Sequence, residues 1–291
     1  MCKKLITIDL GNTLLKVFSE KGGVFYENRM IEKDPSLLLD EEHIIVDGKC
    51  YVMGIGSYQH QFIKTSKAFL PQVLYCVAKN LLNSKNTVNL ILGLPASQID
   101  NKSILIEALA NKTFDVVVNG EAKKLKIATV GCVAEGVSSF YSLPHRQGKI
   151  AIVDLGSRTT SVVTFTSGKQ DATPITINIG TTNLLSKIKD KMLSMGITVE
   201  LEKVWWLLEG GNFDLKLFDA EIKEHMKQLK NEIMKDCPLL QFYDIRLCGG
   251  GTHFLKNEFK DSFPKVDVID KYLFANAQGN YNIGVAKGLD K

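Results

Sequence analysis

The sequence predicts an α/β protein built as two related lobes. Three observations carry that expectation: one strand-and-turn segment occurs twice, strand-like and helix-like runs alternate along the rest of the chain, and the composition is that of a globular protein. The repeat is the plainest of the three. Lys4-Leu5-Ile6-Thr7-Ile8-Asp9-Leu10-Gly11-Asn12-Thr13 returns as Lys149-Ile150-Ala151-Ile152-Val153-Asp154-Leu155-Gly156-Ser157-Arg158-Thr159. Each copy is a β-rich run closed by Asp-Leu-Gly and a small polar residue. Each leads into a second such run (14–18 and 160–166) and a third (24–30 and 172–178). Two halves that open on the same strand, tight turn and meander predict a duplicated domain with a cleft between the halves.

The intervening elements follow in order. Phe69/Leu70, Val73/Leu74, Val77/Ala78 and Leu81/Leu82 recur every four residues, and Pro71 sits where a first helical turn tolerates it, so a helix is predicted there. A buried-type strand follows over 88–92, then a helix over 97–110, a hairpin turning at Asn119-Gly120, and a helix over about 134–141. In the second half a helix over 181–195 ends at Gly196. Ile222, Met226, Leu229 and Ile233 mark another amphipathic helix, capped near Asp219. A short strand over 243–248 runs into Gly249-Gly250-Gly251 and a helix from Thr252, and the tail over 276–289 reads as helical.

Composition narrows the function. Hydrophobic residues at 45% and charged residues at 23% argue against disorder, and no apolar run approaches the ~18 residues a membrane span needs. Met1-Cys2-Lys3-Lys4 starts like a signal peptide, but Asp9 ends the apolar stretch too early, which predicts a cytoplasmic protein without a membrane partner. A net charge of +4 is too small to act as a footprint for direct nucleic-acid binding. The six cysteines (Cys2, Cys50, Cys76, Cys132, Cys237, Cys248) form no CxxC pair and read as reduced structural thiols.

The chemistry is read at the turns. An aspartate closing a buried strand, followed by a glycine-bearing turn, places its carboxylate at the sheet edge, beside amides that suit phosphate oxygens. Asp9 and Asp154 facing one another would repel, and a Mg²⁺ ion bound mostly through water removes that conflict while neutralising phosphates. Asn12, Thr13, Ser157, Arg158 and Thr159 offer turn amides and polar side chains beside Gly11 and Gly156, and Lys16 can reach phosphate from the returning strand. Gly249-Gly250-Gly251, between a strand and a helix, permits close backbone approach to a nucleoside. Glu135 can orient an attacking water, or simply favour a helix start. No GxxxxGK[ST] occurs, so the phosphate holder is not a P-loop. Trp205-Trp206 reads as ordinary packing, and Lys223, Lys227 and Lys230 as a solvated face.

These turns together resemble the actin, sugar kinase and heat-shock chaperone ATPase superfamily. Residues 8–13 look like its first phosphate motif, 153–160 like its second, and 247–251 like its adenosine motif. Leu92-Gly93-Leu94-Pro95, Glu135-Gly136 and the tail Ala275-Asn276-Ala277-Gln278-Gly279-Asn280-Tyr281 make bacterial actin-like proteins of the ParM type, which segregate plasmids, the nearest branch. The resemblance implies an actin-like fold of two ribonuclease H-like domains flanking a nucleotide cleft. Domain I would comprise 1–148 plus 276–291, with a small subdomain at about 31–60. Domain II would comprise 149–275, with a small subdomain at about 181–242. It further implies ATP (or GTP) and Mg²⁺ as ligands, with Asp9 and Asp154 on the metal through water, Glu135 positioning the attacking water and Lys16 on phosphate. Polymerisation of the protein with itself into filaments, and a centromere-binding adaptor protein as partner, are also implied. Ser161 stands where many members carry a second aspartate. Two other functions share the core: a small-molecule kinase of the type III pantothenate kinase kind, whose Gly-x-Asp-Arg segment is missing here, and an actin-like scaffold unrelated to plasmids.

Overall fold

The computed structural model describes residues 3–38, 40–58 and 63–291, so Cys2 and the opening Met1-Cys2 lie outside the described residues. The chain divides into two compact units, one of residues 1–142 with 276–291 and the other of 143–275.

The first unit is organised by a sheet. Its strands are β1 (Lys4–Leu10), β2 (Leu14–Ser19), β3 (Gly22–Glu27), β4 (Arg29–Glu32), β5 (His43–Val46), β6 (Lys49–Tyr58), β7 (Lys85–Leu94), β8 (Lys112–Val118) and β9 (Glu121–Ala134). Their order is β3-β2-β1-β7-β9-β8-β5-β6-β4 among the described residues. β1 is buried along nearly its whole length because it sits between antiparallel β2 and parallel β7, which explains its unbroken apolar run. Helices α1 (Leu70–Lys79), α2 (Ser103–Leu109) and α3 (Val137–Phe140) and a C-terminal helix (Ala275–Ala286) complete the unit. α1 buries Val73, Leu74, Tyr75, Cys76, Val77 and Ala78 in the same core as Ile6, Ile8, Leu90 and Leu92. The hairpin turns at Asn119-Gly120 as predicted, with φ of 50° and 81° at the two residues.

Two helices differ from expectation. The single helix over 97–110 is a 3-10 stretch (Ala96–Asn101) followed by α2, with the weak helix formers Asp100 and Asn101 at the junction. The helix over 134–141 is only α3. β9 stays paired with β7 through Ala134, and Gly136, at φ 76°, breaks the chain direction before one turn of helix forms. Glu135 therefore closes a strand and does not open a helix.

The second unit repeats the opening topology. β10 (Lys149–Leu155) lies between antiparallel β11 (Thr160–Thr166) and parallel β14 (Asp244–Cys248), as β1 lies between β2 and β7. β12 (Lys169–Gln170) and β13 (Ile175–Ile177) pair with β11, and β15 (Val266–Val268) extends the other edge. Helices α4 (Thr181–Ser194), α5 (Leu201–Glu209), α6 (Asp219–Asp236) and α7 (Thr252–Ser262) pack on this sheet through Leu184, Ile188, Val204, Ile222, Leu229, Phe254 and Phe259. α4 stops at Met195, with Gly196 at φ 81° beyond it. Asp219 begins α6 without capping it; Asp214 caps the short 3-10 turn before it instead. Trp205 packs on the core with Trp206 edge-on at 4.6 Å, as packing predicts.

His225 on α6 is buried, and neither ring nitrogen finds a hydrogen-bond partner within the protein. Burial, reinforced by Lys187 and only partly opposed by Glu224, lowers its pKa to about 4. The folded state thus holds a neutral imidazole where the unfolded chain takes up a proton below about 6.5. Stability is full above that pH and falls as pH drops toward 4, by on the order of 3 kcal/mol. Urea unfolding between pH 4 and 6.5 should show a shallower slope against pH in His225→Met than in the wild type. Equal slopes would contradict this assignment.

Candidate phosphate and metal turns

In the first unit the Asp9 turn is held from several sides. Asp9 closes β1 opposite Lys16 of β2 and beside Gly93 of β7. Lys16 Nζ lies 3.0 Å from Asp9 Oδ2. Burial pushes the Asp9 carboxyl up, but the charges of Lys16 and Lys64 and hydrogen bonds from Lys16 and Asn276 outweigh it, leaving its pKa below the usual carboxylate value. The carboxylate is therefore ionised at neutral pH. The Gly11-Asn12-Thr13 turn is fixed by Asn28, whose Nδ2 donates to Gly11 O at 2.7 Å and whose backbone N–H donates to Thr13 O at 2.8 Å. A Cβ on Gly11 would fall 2.3 Å from Leu14 O, so only glycine fits there.

Glu135 belongs to the same unit and the same cluster. Its backbone N–H donates to Leu94 O at 2.8 Å, and its Oε1 pairs with Lys64 Nζ at 2.7 Å. The Lys64 side chain is only 3% exposed; its ammonium pairs with Glu135 directly and adds to Lys16 in favouring the ionised Asp9 carboxyl. Asn276, at the start of the C-terminal helix, receives hydrogen bonds at its Oδ1 from Gly136 N–H (2.9 Å), Ser138 Oγ (2.8 Å) and Ser139 Oγ (2.7 Å). Neither Lys64 nor the role of Asn276 follows from local sequence pattern; each meets partners far away along the chain.

In the second unit the matching turn is built on glycine contacts. Asp154 closes β10 opposite Ser161 and beside Cys248. The turn over 156–159 is closed by Gly156 N–H donating to Thr159 O at 3.0 Å. Its carbonyls take the first N–H groups of α4: Thr181 N–H to Gly156 O at 3.0 Å and Thr182 N–H to Ser157 O at 2.7 Å. Ser157, Arg158 and Thr159 remain half-buried at the turn. Gly249 adopts φ 82°, and a Cβ on it would lie 2.4 Å from Asp154 Oδ1 and 2.6 Å from Leu155 O. Gly251 N–H donates to Leu155 O at 2.8 Å, while half-buried Gly250 meets little. The three glycines thus bring the start of α7 against the Asp154 turn.

The structure places the first-half residues (Asp9, Gly11, Asn12, Thr13, Lys16, Glu135) together in one unit. The second-half residues (Asp154, Gly156, Ser157, Arg158, Thr159, Gly249, Gly250, Gly251) come together in the other. Among the described residues no three His, Cys, Asp or Glu side chains converge to cage a metal. A donor set of single hard carboxylates suits Mg²⁺ held through water and shared with phosphate oxygens, and does not suit zinc. Buried Thr252 Oγ1, at the first residue of α7, and both amide atoms of Asn280, beside Gly93 and Asp9, have no partner within the protein. Such unpaired buried polar atoms fit a site completed by a polar ligand or water. The described cysteines Cys50, Cys76, Cys132, Cys237 and Cys248 form no disulfide, and burial pushes Cys132 up to about 11.

No helix among the described residues is long and apolar enough to cross a membrane. Curated proteins include no sequence that matches this chain significantly. Residues 7–137 match the family described as actin-like proteins, N-terminal domain. Among solved structures, the archaeal actin homologue Ta0583 in complex with ADP is similar with a TM-score of 0.83 at 18% identity, over 99% of this chain and 100% of that one. The apo psk41 ParM protein gives a TM-score of 0.75 at 18% identity over 100% of both chains. A 15-stranded ParM filament from Clostridium botulinum gives 0.74 at 19% identity, over 98% of this chain and 100% of that one. The chain accordingly has the fold of actin-like proteins along its length, and residues 7–137 match the model of that family's N-terminal domain.

Proposed function

We propose that the chain binds and hydrolyses a Mg²⁺-nucleoside triphosphate, ATP or GTP, and that the nucleotide drives its assembly into filaments that segregate plasmid DNA through a centromere-bound adaptor. The observation that carries this reading is the matched pair of strand-ending carboxylates. Asp9 and Asp154 occupy equivalent places in the same antiparallel–parallel strand triplet, each followed by a glycine turn. The ADP complex of one similar structure and the filament state of another support the nucleotide and the assembly respectively.

In this reading Asp9 and Asp154 hold the metal's water ligands, and the turns over 11–13 and 156–159 take phosphate oxygens on backbone N–H groups. Lys16, held at Asp9, adds positive charge to the phosphates, and Gly249 to Gly251 leave room for the nucleoside. When bound, Mg²⁺ supplies charge neutralisation on the phosphates. Glu135 accepts a hydrogen bond from the attacking water and fixes its line of approach, while Lys64 keeps Glu135 in place.

Phosphate release and light scattering on pure protein, with Mg²⁺-ATP, Mg²⁺-GTP or EDTA, test this directly. Turnover that sets in above a threshold protein concentration is expected, with Asp154→Ala losing the metal-dependent rate. Glu135→Ala should slow hydrolysis by about 100-fold or more while assembly persists. Full hydrolysis in Glu135→Ala would remove its assigned role, and no uptake of either triphosphate would remove the whole reading.

A further inference from the structure

Asn276 sits where the two carboxylates of the first unit are organised, and it touches the surroundings of both. Its side chain is 5% exposed. One end of the amide donates to the Asp9 carboxylate. The other end, Oδ1, collects three donors from the segment that begins immediately after Glu135: Gly136 N–H, Ser138 Oγ and Ser139 Oγ, at 2.7–2.9 Å. An amide is the one short side chain that can donate at one end and accept at the other at once. Aspartate could keep the three accepted bonds but would set a second negative charge against Asp9.

The helix that carries Asn276 is itself fixed to this place. Thr7 Oγ1 of β1 donates to Ala277 O at 2.6 Å, and Gly279 lies so close to Ser138 that no Cβ fits between them. We infer that Asn276 is a positioning residue for hydrolysis: it sets the Asp9 carboxylate and the Glu135–Gly136 turn in a fixed relation, so that the metal-side and water-side carboxylates act on one nucleotide. This rests on the reading of the site as a triphosphate-hydrolysing one. It adds that the C-terminal helix, which offers no catalytic group of its own, governs the rate.

Two variants test the inference against a purely structural role. Asn276→Asp retains the acceptor and reverses the contact with Asp9; the pair Ser138→Ala/Ser139→Ala retains Asn276 and removes two of its anchors. Fluorescent ADP binding in EDTA should stay within about threefold of wild type in both, because metal-free binding does not use Asp9. Turnover at saturating Mg²⁺-nucleotide should fall at least tenfold in Asn276→Asp and measurably in the serine pair, with KM little changed. Amide hydrogen exchange of the 136–140 segment, read without nucleotide, should quicken in the serine pair. Wild-type turnover in a folded Asn276→Asp protein overturns the inference. If that variant does not fold, wild-type turnover in the serine pair overturns it. A wild-type chain that takes up no nucleotide fails the site reading itself, and the positioning role falls with it, a result distinct from bound nucleotide with unchanged rates.

Discussion

Gly279→Ala is expected to lower the unfolding free energy by about 3 kcal/mol or more, an unusual cost for adding one methyl group. In an exposed helix the same change would gain up to about 1 kcal/mol from propensity. Here the new Cβ would lie 1.7 Å from Ser138 O, 2.6 Å from Ser138 C and 3.3 Å from Ser142 N. All three are main-chain atoms, so no rotamer change relieves the overlap, and the C-terminal helix must move away from α3. Gly284→Ala is the internal comparison. Its Cβ meets Leu5 methyls at 2.6 and 3.0 Å and Ile91 Cδ1 at 3.1 Å, all ends of side chains that can turn aside. Urea unfolding of both should place Gly279→Ala well below Gly284→Ala; equal stabilities would refute the close backbone crossing.

Lys64→Met is expected to cost about 3–5 kcal/mol, because removing one partner of a buried pair strands the other as an uncompensated charge. Lys64 Nζ is 2.7 Å from Glu135 Oε1, with the two side chains only 3% and 14% exposed. It also helps keep the Asp9 carboxyl ionised against the cost of burial. The double variant Lys64→Met/Glu135→Gln should recover much of the loss, since a neutral amide does not need the ammonium. Chemical denaturation of the two singles and the double forms a cycle whose coupling energy reads the pair alone. Strict additivity would show that Lys64 and Glu135 do not depend on each other.

The twin aspartate turns were legible because their signals are local: a buried strand must be apolar, its end carries the acid, and the tight turn demands glycine. The topology bears this out, with β1 and β10 each flanked by one antiparallel and one parallel neighbour. The stop of α4 before Gly196 was legible for the same reason. Lys64 was not, since a single lysine in Ile63-Lys64-Thr65-Ser66 has no periodicity and its partner lies 71 residues away. Asn276 stood within a recognisable tail, but its three donors lie 137–140 residues upstream, where no window on the sequence could join them. Glu135 lies at the end of a strand and not at the start of a helix. An acid suits a helix start, whereas pairing with β7 across the whole of 129–134 keeps the segment extended.

The chain leaves its first unit after Ser142 and re-enters it at Asn276. During synthesis, therefore, Asp9 leaves the ribosome long before the helix that completes its surroundings. A nascent or prematurely stopped polypeptide lacking residues after 275 would carry the acidic turn without the amide that orients it. Any chemistry that relies on this amide therefore waits until Asn276 has been made and has docked on the first unit.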